Sequence, residues 1–242
     1  MFRSDQICNT GHYETSGGAV PRSTIPDRAN VILDQAREIV LEKGYQRTTI
    51  AEIARRAGVG KGAVYLDFPS KEALLDALLV RSARSLTQAV RDRVDRSAQP
   101  VALSAVYRFG LEALLGDELM LACYLADDGV LGGYLREKGP QRYRPRMDWL
   151  ADYVAELSRA GLLRADLDPG AASLMMSVFA VGLANASATV GALTGEQLGQ
   201  AVELMAGLIA AGWEVGDGAD PAAAHRAHIR LLELLADQIG AS

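Results

Sequence analysis

Thr49-Ile50-Ala51-Glu52-Ile53-Ala54-Arg55-Arg56-Ala57-Gly58-Val59-Gly60-Lys61-Gly62-Ala63-Val64-Tyr65-Leu66-Asp67-Phe68-Pro69-Ser70-Lys71-Glu72 reads as two short helices separated by a tight turn. Thr49 followed three residues later by Glu52 has the spacing of a capping box, so a helix is predicted to begin at Ile50. Ile50, Ile53, Ala54 and Ala57 then fall at i, i+3, i+4 and i+7, one apolar stripe, with Arg55 and Arg56 largely off it. Gly58 ends the helix, because a left-handed residue after the last turn is cheapest without a Cβ. Val59 drops between the helices and Gly60 serves as an N-cap. In the second helix Val64 and Phe68 share the buried side, while Lys61 and Tyr65 share the opposite one.

Gly62 costs a helix about 1 kcal/mol relative to Ala, and close approach of the backbone to a partner is the natural reason to keep it. Beside it, Lys61 offers a cation for a phosphate or guanine, and Tyr65 a ring and hydroxyl for a thymine methyl or phosphate. Ser70 is placed to cap a following helix, and Lys71 in its first turn to reach a phosphate. Together these features suit a helix-turn-helix entering a DNA major groove.

Working outward, Gly44-Tyr45, Thr48-Thr49, Ile50-Ala51, Ala57-Gly58-Val59, Lys61-Gly62, Tyr65, Phe68, Ser70-Lys71-Glu72 and Leu74-Leu75 together resemble the DNA-binding domain of the TetR family of bacterial transcriptional regulators, over roughly residues 27 to 75. Two positions depart from the family pattern: Gly60, where Ser or Thr is usual, and Asp67, where His or another neutral or basic residue is usual. A carboxylate at that end of the recognition helix suits phosphates poorly. The resemblance implies DNA contact by Thr49, Lys61, Gly62, Tyr65 and Lys71; Gly60, at the start of the same helix, is a further DNA-binding candidate despite its departure from the family pattern. It also implies an all-α chain with an N-terminal three-helix head and a C-terminal helical domain for effector binding and dimerisation.

The charge of the chain is divided accordingly. Residues 1 to 99 hold 15 of the 25 Lys and Arg and 12 of the 30 Asp and Glu, leaving +3 there and −8 beyond. Only the first part has the sign that approaches phosphate, so overall acidity does not argue against DNA binding. Residues 1 to 26, rich in Gly, Pro, Ser and Thr and lacking an apolar core, are expected to be a flexible tail and not a signal peptide. Cys8 and Cys123 make no disulfide framework and fit a reducing, cytoplasmic setting, with Cys123 a buried thiol.

Asp27 is predicted to cap a first helix whose Ile32, Ala36, Ile39 and Val40 share one face and which ends near Gly44. A longer helix is expected from Lys71 to Arg96. Beyond Pro100 helices are expected at about 101–115, 117–127, 130–137, 141–160, 169–190, 195–213 and 221–239, broken at Gly and Pro, with Asp168-Pro169 a strong start. This divides the chain into a tail (1–26), a helix-turn-helix domain (27–75) and an effector-binding and dimerisation domain (76–242). Residues 171 to 195 carry no charge, yet Ser173, Ser177, Asn185, Ser187 and Thr189 make them too polar for a membrane span. Their small residues favour close helix packing at a dimer interface, with the 195–213 or the 221–239 helix beside them.

Tyr107, Tyr124, Met147, Trp149, Met175 and Phe179 are candidates for lining an effector cavity, although a Met and aromatic stripe is also what plain core packing produces. Arg142, Arg144 and Arg146 are read as a solvated helix start, and His225 and His228 as a surface pair without a third metal ligand. No acid, base or nucleophile grouping stands out, so catalysis and a cofactor are not expected. The resulting reading is a homodimeric regulator, a repressor released by a small molecule of unknown identity, bound to a pseudo-palindromic double-stranded operator. The alternative is a helical small-molecule-binding protein whose head has weakened or lost its DNA affinity, for which Asp67 is the ground.

Overall fold

The computed structural model of this protein describes residues 27–125, 127–134, 144–216 and 218–237. The tail with Cys8, the segment 135–143, and the side chains of Arg144, Arg146 and Met147 therefore lie outside the described residues.

The head is built from α1 (Arg28–Lys43), α2 (Ile50–Arg56) and α3 (Lys61–Asp67). Thr49 lies in extended backbone and its hydroxyl accepts the Glu52 N–H at 3.3 Å. The other half of the expected capping box is replaced: the Glu52 carboxylate pairs with Lys43 and stands 3.9 Å from Arg56. A charged partner outcompetes a backbone N–H for that carboxylate. Gly58, at φ 67°, closes α2 by a double turn in which Val59 N–H bonds Ala54 O at 2.9 Å and Gly58 N–H bonds Arg55 O at 3.3 Å.

Asp27 behaves differently from expectation. Its backbone is left-handed (φ 56°) and its side chain caps no backbone N–H. The carboxylate instead accepts the Asn30 side-chain amide at 2.9 and 2.7 Å, and its carbonyl takes the N–H groups of Asn30 and Val31. Asp tolerates this conformation because its short polar side chain bonds locally.

Ser70 accepts the Ala73 N–H at 3.0 Å and starts α4 (Lys71–Arg96), whose Leu74, Leu75, Leu78 and Leu79 fill the head core. The same core takes Leu119 and Cys123 from α6 (Glu118–Leu125), Leu131 from α7 (Asp128–Leu131), and Tyr134. Where α1 meets α7 the backbones nearly touch. A Cβ on Gly44, at φ 82°, would come within 2.5 Å of Gly129 O, and Tyr45 N–H bonds Val130 O at 2.7 Å. Of the helix expected at 130–137, residues 135–137 lie outside the described residues; α7 ends at left-handed Gly132, against which the Gln46 side chain packs.

A second core joins α5 (Leu103–Leu115), α8 (Arg144–Arg159), α9 (Pro169–Ala184), α11 (Gly195–Trp213) and α12 (Pro221–Asp237). Asp168 caps α9 through Ala171 N–H at 2.6 Å with Pro169 in the first turn, and Thr194 with Gln197 forms a full capping box on α11. The single helix expected over 169–190 is interrupted at Asn185, whose side-chain amide donates to Val181 O at 2.9 Å; a short α10 (Ala186–Val190) follows. Among the described residues strand-like pairing is limited to one bridge, Leu163 to Glu214. No described helix is long and apolar enough to cross a membrane.

Candidate nucleic-acid interface

Val64, fully buried, and Phe68 anchor α3 to the head core. Helical periodicity then turns Lys61, Gly62, Tyr65 and Leu66 outward, and all four are exposed. Gly62 sits at the middle of this face with no described atom within 4 Å of where a Cβ would be, and its φ is not left-handed. Nothing described in the chain requires glycine there, so its helix cost of about 1 kcal/mol has no internal compensation. The Lys61 ammonium lies 5.9 Å from the centre of the Tyr65 ring. Leu66 is 80% exposed, an apolar side chain held in water beside that notch. Its signal in the sequence is its position off the Val64–Phe68 stripe.

Thr49 is exposed at the N-terminus of α2, and Gly60 begins α3 with nothing within 4 Å of the position a Cβ would take. Lys71 is only partly exposed: its ammonium stands 4.2 Å from the Tyr45 ring centre and 3.3 Å from Gln46 O, and burial lowers its pKa. Asp67 is turned inward. Arg28 at the start of α1 grips both its oxygens at 2.7 Å, which holds the carboxyl below the usual carboxylate range.

A cavity of about 190 Å³ opens between α4, α5, α6, α8, α9 and α12. Tyr107 and Tyr124 line it, together with Leu103, Leu111, Met176 and Ala180. Of the remaining candidates, Trp149 and Phe179 pack against the second core, and Met175 is 44% exposed on the outer side of α9. Tyr153, which the composition of its helix did not single out, also lines the cavity and meets His228. His228 is a correction to the surface pair expected from its spacing with His225. It is fully buried, with Nδ1 2.8 Å from Tyr153 Oη and Nε2 2.9 Å from Val101 O, and burial pushes its pKa down to about 4. Among the described residues no three His, Cys, Asp or Glu side chains gather as a metal site.

On the far side of the second core, Leu174, Met175, Val178 and Val181 of α9 and Leu204 and Leu208 of α11 are exposed. They recur at helical spacing and form an apolar face that no described residue covers. α12 offers no such face, because Ala224, Ala227, Leu231 and Leu232 are spent on the interior against α4 and α8.

Residues 32–78 match the model of bacterial regulatory proteins, tetR family. The chain is 28% identical over 150 residues to the HTH-type transcriptional repressor KstR2 of Mycobacterium tuberculosis, covering 60% of this chain and 73% of that one. It is 26% identical over 140 residues to the fatty acid metabolism regulator protein of Bacillus subtilis, covering 57% and 71%. In fold it is similar to FadR of Bacillus subtilis in complex with stearoyl-CoA (TM-score 0.56, 22% identity, 76% of this chain and 98% of that one). It is equally similar to the fatty acid degradation regulator FadR of Bacillus halodurans (TM-score 0.56, 19% identity, 78% and 98%).

Proposed function

Because this chain belongs to the TetR family of transcriptional regulators, we infer that it is a homodimeric repressor that holds an operator until a small molecule enters the body of the protein. The observation that carries the reading is the outward face of α3, where Lys61, Tyr65 and Leu66 surround a glycine that no described residue requires. Bulk at residue 62 would hold the helix off the base edges, and its absence lets the backbone approach them. Residues 27–75 act as the reading head and 76–242 as the effector-binding and dimerisation body. Thr49, Gly60 and Lys71 border the same groove, and Lys71 reaches a phosphate by leaving the Tyr45 ring.

The ground for a head without DNA affinity is Asp67. Its charge is spent on Arg28, so phosphate meets a neutralised pair and not a bare carboxylate. The B. subtilis relative solved with stearoyl-CoA supports an effector with an apolar body, and the apolar walls of the cavity suit one. The apolar face of α9 and α11 pairs with its copy across a two-fold axis. The protein works in the cytoplasm, beside chromosomal DNA. Footprinting of the purified protein on fragments of its own genome tests this reading: a protected, two-fold symmetric site is expected, and a protein that protects no fragment at low salt would end it.

A further inference from the structure

Between residues 27 and 81 the chain carries nine Lys and Arg side chains, and the fold divides them into two groups. Five sit on carboxylates: Arg28 on Asp67, Arg37 on Asp117, Lys43 on Glu52, Arg56 on Glu42 and Arg81 on Asp34. Such a pair brings no net charge to a phosphate, and pulling its cation away would leave a bare carboxylate facing one. Arg47, Arg55, Lys61 and Lys71 make no ion pair among the described residues. Lys61 and Lys71 are already candidates for DNA contact, which leaves the two arginines.

Arg55 is exposed near the end of α2, and no described atom seats its guanidinium. Arg47 is exposed and seated. Its Nε donates to Lys43 O, at the end of α1, at 2.6 Å, which orders the guanidinium while both Nη groups stay available to donate. Thr48 turns inward, 2% exposed with its hydroxyl donating to Gly44 O at 2.9 Å, and its neighbours Arg47 and Thr49 both face solvent. The carbonyl of Gln46, the residue before Arg47, accepts from the Lys71 ammonium at 3.3 Å. Arg47 thus stands at one corner of the head with Thr49 and Lys71. A fork already ordered loses less rotamer freedom on binding than a loose one, which separates Arg47 from Arg55.

We propose that Arg47 donates through its Nη groups to a backbone phosphate of the DNA, adding one phosphate contact per head and no base preference. This rests on the reading of the head as a DNA-binding unit.

Salt titration of the full-length protein on a duplex of arbitrary sequence tests it, because a phosphate contact is blind to the bases. In a plot of log K against log salt each neutralised phosphate contributes about 0.9 to the slope, so Arg47→Ala should flatten it by about 0.9 for every head engaged. Arg47→Gln, which keeps a donor for Lys43 O and loses the charge, should flatten it equally and decides where the Ala variant does not fold. Arg47→Lys, which keeps the charge, should keep most of the slope. Arg81→Ala removes the same charge from a cation already spent on Asp34 and should leave the slope as in wild type. A wild-type slope in both Arg47→Ala and Arg47→Gln overturns the inference and leaves the DNA-binding reading standing. An equal loss in Arg81→Ala overturns it too, since the effect would then follow net charge and not position. So does an equal loss in Arg47→Lys, which would assign the effect to the shape of the turn. Wild-type protein that binds no duplex at low salt would end the DNA-binding reading itself, and this inference with it.

Discussion

At the scale of single residues, Gly62 and Leu66 carry the sharpest consequences. Gly62→Leu removes a helix penalty and should leave the head as stable or more so, while specific operator binding falls by about tenfold or more because the backbone is held off the groove. Leu66 is proposed to meet a thymine methyl, so Leu66→Ala and replacement of thymine by uracil at one half-site position should each weaken binding by about 1 kcal/mol. The two losses should not add. If uracil at every thymine of the site leaves affinity unchanged, Leu66 reads no methyl. His228 belongs to the same scale. Its folded pKa is depressed to about 4 from an ordinary 6.5, so between those values the unfolded chain takes a proton that the folded one refuses. Stability therefore falls as pH drops through that window, by about 3 kcal/mol in all, and levels off below it. Urea midpoints at fixed protein concentration should drop between about pH 7 and 5 in wild type. In His228→Gln that slope should vanish, and an unchanged slope would assign it to another group.

At the scale of elements, the bond between the start of α1 and the end of α3 is proposed to set how α3 is aimed at DNA. Arg28 and Asp67 meet through two parallel hydrogen bonds of 2.7 Å, a geometry that fixes angle as well as distance. On sequence grounds alone Asp67 is an obstacle whose replacement by His would tighten binding; with Arg28 seated on it, the opposite is expected. Asp67→Ala and Arg28→Ala should each weaken operator binding, and the double variant should be no weaker than the worse single one, as a double-mutant cycle would show. Additive losses would mean that Arg28 acts on DNA independently of Asp67. The pair lies out of reach of sequence reading because 39 residues separate its members and only the packing of α1 across α3 joins them.

At the scale of the whole molecule, the exposed apolar residues of α9 and α11 are the proposed ground of assembly. Two copies related by a two-fold axis would bury Leu174, Val178, Leu204 and Leu208, and their heads would then require half-sites about 34–36 Å apart or a multiple of it. Gly182, exposed and with no described neighbour within 4 Å of a Cβ, has room for a larger residue in the isolated chain. Gly182→Arg should leave the fold intact, bury an unpaired charge on dimerisation and split the dimer, with operator binding lost at the same time. Light scattering and gel shifts read both effects. A Gly182→Arg protein that stays dimeric and binds normally would move the interface off α9.

What the sequence determined by itself was local: the cap at Thr49, the left-handed turn at Gly58, the stripe of Ile50, Ile53, Ala54 and Ala57, the cap at Ser70 and the start at Asp168-Pro169. Each depends on residues within one or two turns of one another, where spacing alone sets which groups meet. The outward face of α3 was legible for the same reason, apart from Leu66, whose meaning depends on exposure. The remaining features join distant segments. Only tertiary packing put Asp67 on Arg28, turned Met175 out to the surface, and brought Tyr153 of α8 against His228 of α12, 75 residues away. It likewise assigned α12 to the interior and left one side of α9 and of α11 uncovered by any described residue, because an apolar stripe specifies that a helix is buried on one side but not which neighbour, in the same chain or in a second copy, does the burying.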